Sequence, residues 1–280
     1  MMNVLRTALC MAAIMAGNAV PADTLRIGGT GVALGGMGHL AAAFEQIHPG
    51  TTVDVLPSLG RGGGVKALLA GTVDVGLISR PLKAVEDEAG ASAKIYALTP
   101  LAIVTSLGTE VDNVTTEDLE AMYYGTMSHW PDGGVIRVVM RPASETDTQL
   151  LRTLSDAMAV AIDLALDRCG LISATNDQEN AETLETLYGS IGLVALGQIK
   201  TEGRKLKILT LDGKVPEVQE DFGLVAANGG IIAALDDDRT KLNLDAMLPN
   251  LTYLALDGTI EEQAELFADL HWNSIRHLAA

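Results

Sequence analysis

Short apolar runs closed by glycine alternate with helically spaced apolar residues through the first third of the chain. "LRIGGTGVALGGMGHLAAAFEQIHPG" (25–50) predicts a strand, a glycine loop and a helix. Leu40, Ala43, Phe44 and Ile47 fall at i, i+3, i+4 and i+7, one apolar face, and Pro49-Gly50 stops the helix. "TTVDVLP" predicts a second strand, "GRGGGVKALLAG" a turn and a helix with Val65, Leu68 and Leu69 inward and Gly71 as its stop, and "VDVGLI" a third strand. Strands and helices that alternate with short connections imply a mainly parallel sheet flanked by helices, an α/β fold. In such sheets ligands bind beyond the carboxyl ends of the strands, where both glycine loops sit.

The pattern changes near residue 94. "KIYALTPLAIVTS" is a long extended run interrupted by Pro100, which suits a chain crossing between lobes better than one strand. "TTEDLEAMYYG" predicts a helix capped by Thr115 with Asp118 three residues on, Leu119, Met122 and Tyr123 facing inward. "GVIRVVMR" is a strand, and "SETDTQLLRTL" a helix whose capping residues are Ser144 and Asp147. "AMAVAIDLALDRCG" and "NAETLETLYG" add two helices, "SIGLVAL" is a buried strand, and "KLKILTLDG" returns the chain to the first lobe. A last helix opens at Thr259 and carries Phe267, Trp272 and Ile275.

Length and composition fit this layout. The chain has 280 residues, 48% of them hydrophobic and 4% aromatic, enough for two lobes that each bury a core. Its first 22 residues have the parts of a cleavable secretory signal: basic Arg6, an apolar stretch from Ala8 to Val20, and "VPA" before a cut after Ala22. The leucine before Cys10 does not suit a lipid anchor. Cleavage leaves Cys169 as the one cysteine, without an intramolecular disulfide, and 18 basic against 36 acidic side chains, a net −18. That charge argues against nucleic acid and anionic membranes as partners.

Three places offer the unpaired backbone N–H groups of a helix start behind a strand: Thr30-Gly31-Val32, Gly60 to Gly64, and Ser144-Glu145-Thr146. Arg141 ends a strand three residues before the last of these and can aim a two-pronged donor at the same space. Convergence of these groups suits a tetrahedral oxyanion. Each has a plainer use as well: a tight turn, a helix cap, or for Arg61, Arg80 and Arg141 a surface ion pair. Overall negative charge does not forbid such a pocket, because distant charges are screened within about 8 Å at physiological salt.

Other chemistry is less well supported. "GTGVALG" departs from the dinucleotide fingerprint by a late final glycine, and no phosphate-binding loop with Gly-Lys-Ser/Thr or Gly-x-Ser-x-Gly elbow occurs. The five histidines, His39 among them, lack metal-ligand spacing, and "DDD" at 236–238 reads as a solvated turn. No catalytic residue, metal or cofactor is expected.

Four stretches carry a family resemblance: "GGGVKALLAGTVDVG" with "SRPLK", "VTTEDLEAMYYGTMSHWPDG", "IRVVMRPASETDT" and "GSIGLVALGQI". Between Leu25 and Gly213 the chain resembles the periplasmic phosphate-binding proteins of ABC importers, of the type II periplasmic-binding superfamily. The resemblance implies two α/β lobes with a ligand cleft between them, residues 23–100 with 212–280 forming one and 101–211 the other. It implies a monomeric, non-enzymatic periplasmic protein that delivers phosphate to an inner-membrane permease. The same fold with another anion (sulfate, molybdate, an organic phosphate or a carboxylate), or an exported protein or enzyme outside transport, stays open. The implied ligand set is Thr30, Gly31, Val32, Gly60, Arg61, Gly62, Ser79, Arg80, Arg141, Ser144, Glu145 and Thr146. Three positions depart from the family pattern: Arg61 replaces a serine, Ser79-Arg80 stands at an aspartate that accepts a proton from the ligand, and Ser-Glu-Thr replaces Ser-Gly-Thr. Added positive charge without an acceptor favours a fully ionised or larger anion, unless Glu145 replaces that acceptor.

Overall fold

The computed structural model describes residues 23–47, 49–216 and 227–235. The expected signal segment, the "DDD" turn and the last expected helix lie outside them. Strand β1 (Asp23–Gly29) leads through a 3-10 turn (Gly31–Ala33) into helix α1 (Leu34–Ile47). Strand β2 (Thr51–Val55), helix α2 (Gly63–Leu69) and strand β3 (Val75–Ile78) follow. β1 lies between β2 and β3 and is parallel to both. The glycine turn before α2 has a packing cause. A Cβ on Gly64 would stand 2.7 Å from the Leu77 carbonyl and 3.0 Å from the Gly29 Cα, so only glycine lets the helix start lie on the sheet.

After the short helix α3 (Ala84–Glu88), β4 (Ala91–Ser106) runs through both lobes as one 16-residue strand, not as the broken crossing expected from Pro100. Its partners change at that proline. Residues 91–100 pair with β10 (Ala227–Leu235), the last of the described strands, and residues 101–106 pair with two strands of the second lobe. Proline has no N–H for a ladder, and a handover between partners is where that lack costs least.

The second lobe contains β5 (Asn113–Val114), α4 (Thr116–Tyr124), β6 (Arg137–Met140), α5 (Thr146–Leu151) and α6 (Asp156–Asp167). It continues with β7 (Ile172–Ser173), α7 (Asp177–Thr186), β8 (Ser190–Ala195), α8 (Leu196–Thr201) and β9 (Leu206–Leu211). β6 is parallel to β7 and β8, while β4 is antiparallel to β8 and β9. The strand order β2-β1-β3-β10-β4-β8-β6-β7 thus joins two sheets through β4. Segment 205–213 does not return to the first lobe as expected: β9 pairs with β4 and β5. β10, absent from the sequence expectation, lies antiparallel between β3 and β4 in the first lobe.

Each sheet is covered on both faces. Ile27, Met37, Phe44 and Leu77 pack beneath α1, and Val65, Leu68 and Ile78 beneath α2. In the second lobe Met122, Tyr123, Met158, Ile162 and Ile191 form one core, and Val104, Val139, Ala181 and Leu184 the other. On α1 the fully buried residues are Met37, Ala41 and Phe44, with Leu40 packed against the same core and Ala43 half-buried, and the helix also touches α8 of the second lobe. The α4 cap is as expected: Thr115 and Asp118 exchange side-chain to backbone bonds.

Candidate functional site: a cleft clasped by a carboxylate

Five loops meet where the lobes face each other, each at the carboxyl end of a strand. Arg141 follows β6 and is 5% exposed. Its Nε donates to Asp147 Oδ2 at 3.0 Å and its Nη1 to the Ala174 carbonyl at 3.1 Å, which fixes the guanidinium plane. Nη2 donates to Asp177 Oδ1 at 2.8 Å and to Glu145 Oε2 at 3.4 Å. One cation therefore faces three carboxylates.

Asp177 is the first residue of α7, set by Asn176, whose side chain caps the helix by accepting from the Glu179 amide at 2.9 Å. From there its carboxylate crosses the cleft. Oδ2 accepts from the Val32 amide at 3.1 Å and from the Thr30 hydroxyl at 3.4 Å, while Oδ1 holds Arg141. The same loops meet again where Gln178 Nε2 donates to the Gly31 carbonyl at 3.0 Å. Two further contacts close the cleft: Ser79 Oγ lies 3.3 Å from Thr146 Oγ1, and Arg61 Nη1 donates to the Ser144 carbonyl.

Burial pushes the Asp177 and Glu145 carboxyls up from their ordinary values, although Arg141 pulls both down, and Asp147 raises both further. Burial likewise pushes the Tyr123 hydroxyl up, with Asp147 adding to the effect.

Thr30, Val32, Ser79, Glu145 and Thr146 line the recess in this cleft, and Arg141 stands behind its carboxylates. Gly31 contributes its carbonyl, and Ser144 spends its own on Arg61. Gly60 and Gly62 belong to the turn before α2, outside the lining. Arg80 turns away, with Nη1 and Nη2 on the two oxygens of Glu86 at 2.7 and 2.6 Å. Ser144 is not the cap of α5. Glu145 occupies that position without a side-chain cap bond, and Asp147 serves both sides: Oδ1 accepts from the Thr148 amide in the first turn at 2.7 Å, and Oδ2 from Arg141.

Asp147, Asp177, Asn180 and Gln198 also line the recess and were not expected there. The signal for Asp177 was present in "ATND", a capping asparagine with Glu179 three residues on, directly after a strand. Asn180 is 3% exposed and donates to the Leu193 carbonyl at 2.7 Å, leaving its buried Oδ1 without a hydrogen-bond partner. An acceptor so placed suits a donor arriving in the recess. Among the described residues no group of three or more His, Cys, Asp or Glu could hold a metal, and no helix is long and apolar enough to cross a membrane. Cys169 is exposed, beyond the end of α6.

The model of the PBP superfamily domain matches residues 16–241. The chain belongs to the PBP superfamily. Solved structures share the two-lobed fold of this PBP-superfamily chain, at identities that speak for fold alone. A Clostridium perfringens protein described as a phosphate ABC transporter substrate-binding protein, solved with phosphate, is similar with a TM-score of 0.63 and 16% identity, over 89% of this chain and 98% of its own. An ABC-type phosphate transport receptor from Vibrio cholerae is similar at 0.53 and 20%, over 88% and 98%. The CcmR regulatory domain of Synechocystis PCC6803 in complex with 2-PG is similar at 0.51 and 12%, over 84% and 98%.

Proposed function

We propose that this chain is an exported, monomeric solute-binding protein that captures a small oxyanion, phosphate first, and passes it to an ABC permease in the inner membrane. The signal segment at 1–22 would direct it to the periplasm. Residues 23–100 with 212–280 would form one lobe and 101–211 the other, a division supported by the partner change in β4 at Pro100. No bond is made or broken; the work is capture, closure and release.

One observation carries the reading. Donors from both lobes, namely the Arg141 guanidinium, the Val32 amide and the Thr30 hydroxyl, converge on a single two-oxygen anion, the Asp177 carboxylate. An oxyanion would meet the same donors, with the Ser79 and Thr146 hydroxyls beside them. Arg141 would supply the charge, and Gly31, Ser144, Gly60, Gly62, Arg61 and Arg80 would shape the loops around the anion.

The carboxylates change the expected ligand. Glu145 and Asp147 line the recess as acceptors in place of the family's aspartate, and Arg80 is committed to Glu86. Such a pocket favours an anion that still carries a proton over a fully ionised one. A carboxylate ligand is the second reading, favoured by the fact that a carboxylate is what the donors hold.

Calorimetry of the mature protein with phosphate, sulfate, molybdate, organic phosphates and small carboxylates tests both. Phosphate binding above the others is expected. A response to carboxylates alone supports the second reading, and no response to any of these anions overturns both.

A further inference from the structure

We propose that Asp177 is a resident counter-anion of the cleft, a specificity-determining residue whose carboxylate the solute must displace. The proposal rests on the oxyanion reading above and concerns how the site is emptied and filled.

Both carboxylate oxygens are engaged. Oδ1 takes Arg141 Nη2 at 2.8 Å, and Oδ2 takes the Val32 amide at 3.1 Å and the Thr30 hydroxyl at 3.4 Å. These donors come from loops in different lobes, so the side chain does across the cleft what a bound anion would do. The recess beside it has room for about one water molecule. A tetrahedral oxyanion does not fit while the carboxylate stays, and occupation by one excludes the other.

A positioning role for Asp177 fits the geometry less well. Arg141 keeps its plane without Asp177, because Nε is held by Asp147 at 3.0 Å and Nη1 by the Ala174 carbonyl at 3.1 Å. Nη2 is the arm aimed at the cleft, and Asp177 is the group that occupies it most closely, with Glu145 further off at 3.4 Å. Removing the Asp177 charge frees a donor without unmooring the arginine. Observed affinity is then the difference between what the donors gain from the solute and what they lose with the carboxylate. A solute gains entry by offering the donors more than a carboxylate does.

The competitor and positioning roles predict opposite signs. Asp177→Asn keeps the shape and removes the charge, and Asp177→Ser also shortens the side chain. With inorganic phosphate as the calorimetric probe, both variants should bind about tenfold tighter than the unaltered protein, since a hydrogen bond to a charged competitor is lost. Circular dichroism and thermal melting would confirm that each variant is folded, and the serine variant serves if the asparagine variant is not. Phosphate binding by the variants alone also supports the proposal. Equal or weaker binding by folded variants, with the unaltered protein still binding phosphate, overturns it and leaves the oxyanion reading standing. No phosphate binding by any of the three overturns this proposal together with phosphate as the solute.

Discussion

Arg80 lies two-pronged on Glu86, each nitrogen on its own oxygen at 2.7 and 2.6 Å, with both side chains largely buried. The hydrogen bond from Arg80 holds the Glu86 carboxyl down to about 2 from its ordinary 4.5. A depressed carboxyl stabilises the fold above its unfolded value, and that contribution is lost as pH falls toward the folded one. Glu86→Gln should therefore cost roughly 1–3 kcal/mol near neutral pH. The difference from the unaltered protein should shrink below about pH 4.5 and be gone near pH 2. Denaturant melts of both proteins across this range check it; a constant difference would contradict it.

The same pair makes a prediction about the ligand. With its guanidinium committed to Glu86, Arg80 has little to give the cleft. Arg80→Gln should lower stability but change phosphate affinity less than about threefold, the reach of a screened charge that makes no contact. A loss of a hundredfold would mean that Arg80 swings inward on binding.

Arg141→Ala should abolish oxyanion binding, because the charge-assisted arm on the cleft is removed. It should also destabilise. Asp147, Asp177 and Glu145 would keep their buried positions without the cation, and breaking such a cluster costs about 3–5 kcal/mol. That cost should be smaller at acid pH, where Glu145 and Asp177, already raised by burial, take up protons. Melting temperature against pH, together with calorimetry, reads both effects.

Gly31→Ala tests closure. A Cβ at residue 31 would stand 2.4 Å from Gln178 Oε1 and 2.7 Å from Asp177 Oδ2, both on the opposite lobe. The lobes must separate slightly or those side chains must withdraw. Small-angle scattering of the protein without added anion should show a larger radius of gyration, because the added Cβ opposes the contact between the lobes. An unchanged radius would show that the side chains yield freely.

Much of the fold was legible along the chain. Alternating apolar runs and helical spacing gave β1, α1, β2, α2 and β3 in order, and Thr115 with Asp118 gave the start of α4. These are local matters: a strand needs its apolar run, and a cap needs a hydroxyl or carboxylate within three residues of the amide it satisfies. β10 and the placement of β9 were not legible. Strand pairing is decided by partners far away in sequence, and nothing in Ala227–Leu235 specifies that it enters between β3 and β4.

By itself, the sequence determined the α/β class and some of the loops near the cleft, not the one that carries Asp177, because periodicity, glycine and capping residues act over a turn or a strand. Only the tertiary structure decided what those loops hold. Arg61, Arg80 and Arg141 look alike in sequence, yet one reaches a backbone carbonyl, one a local glutamate and one a cluster of three carboxylates. Asp177, 147 residues from Thr30, became the anion in the middle of the cleft. A long charged side chain points wherever the fold brings an acceptor into the same dry space, and local spacing does not encode that meeting.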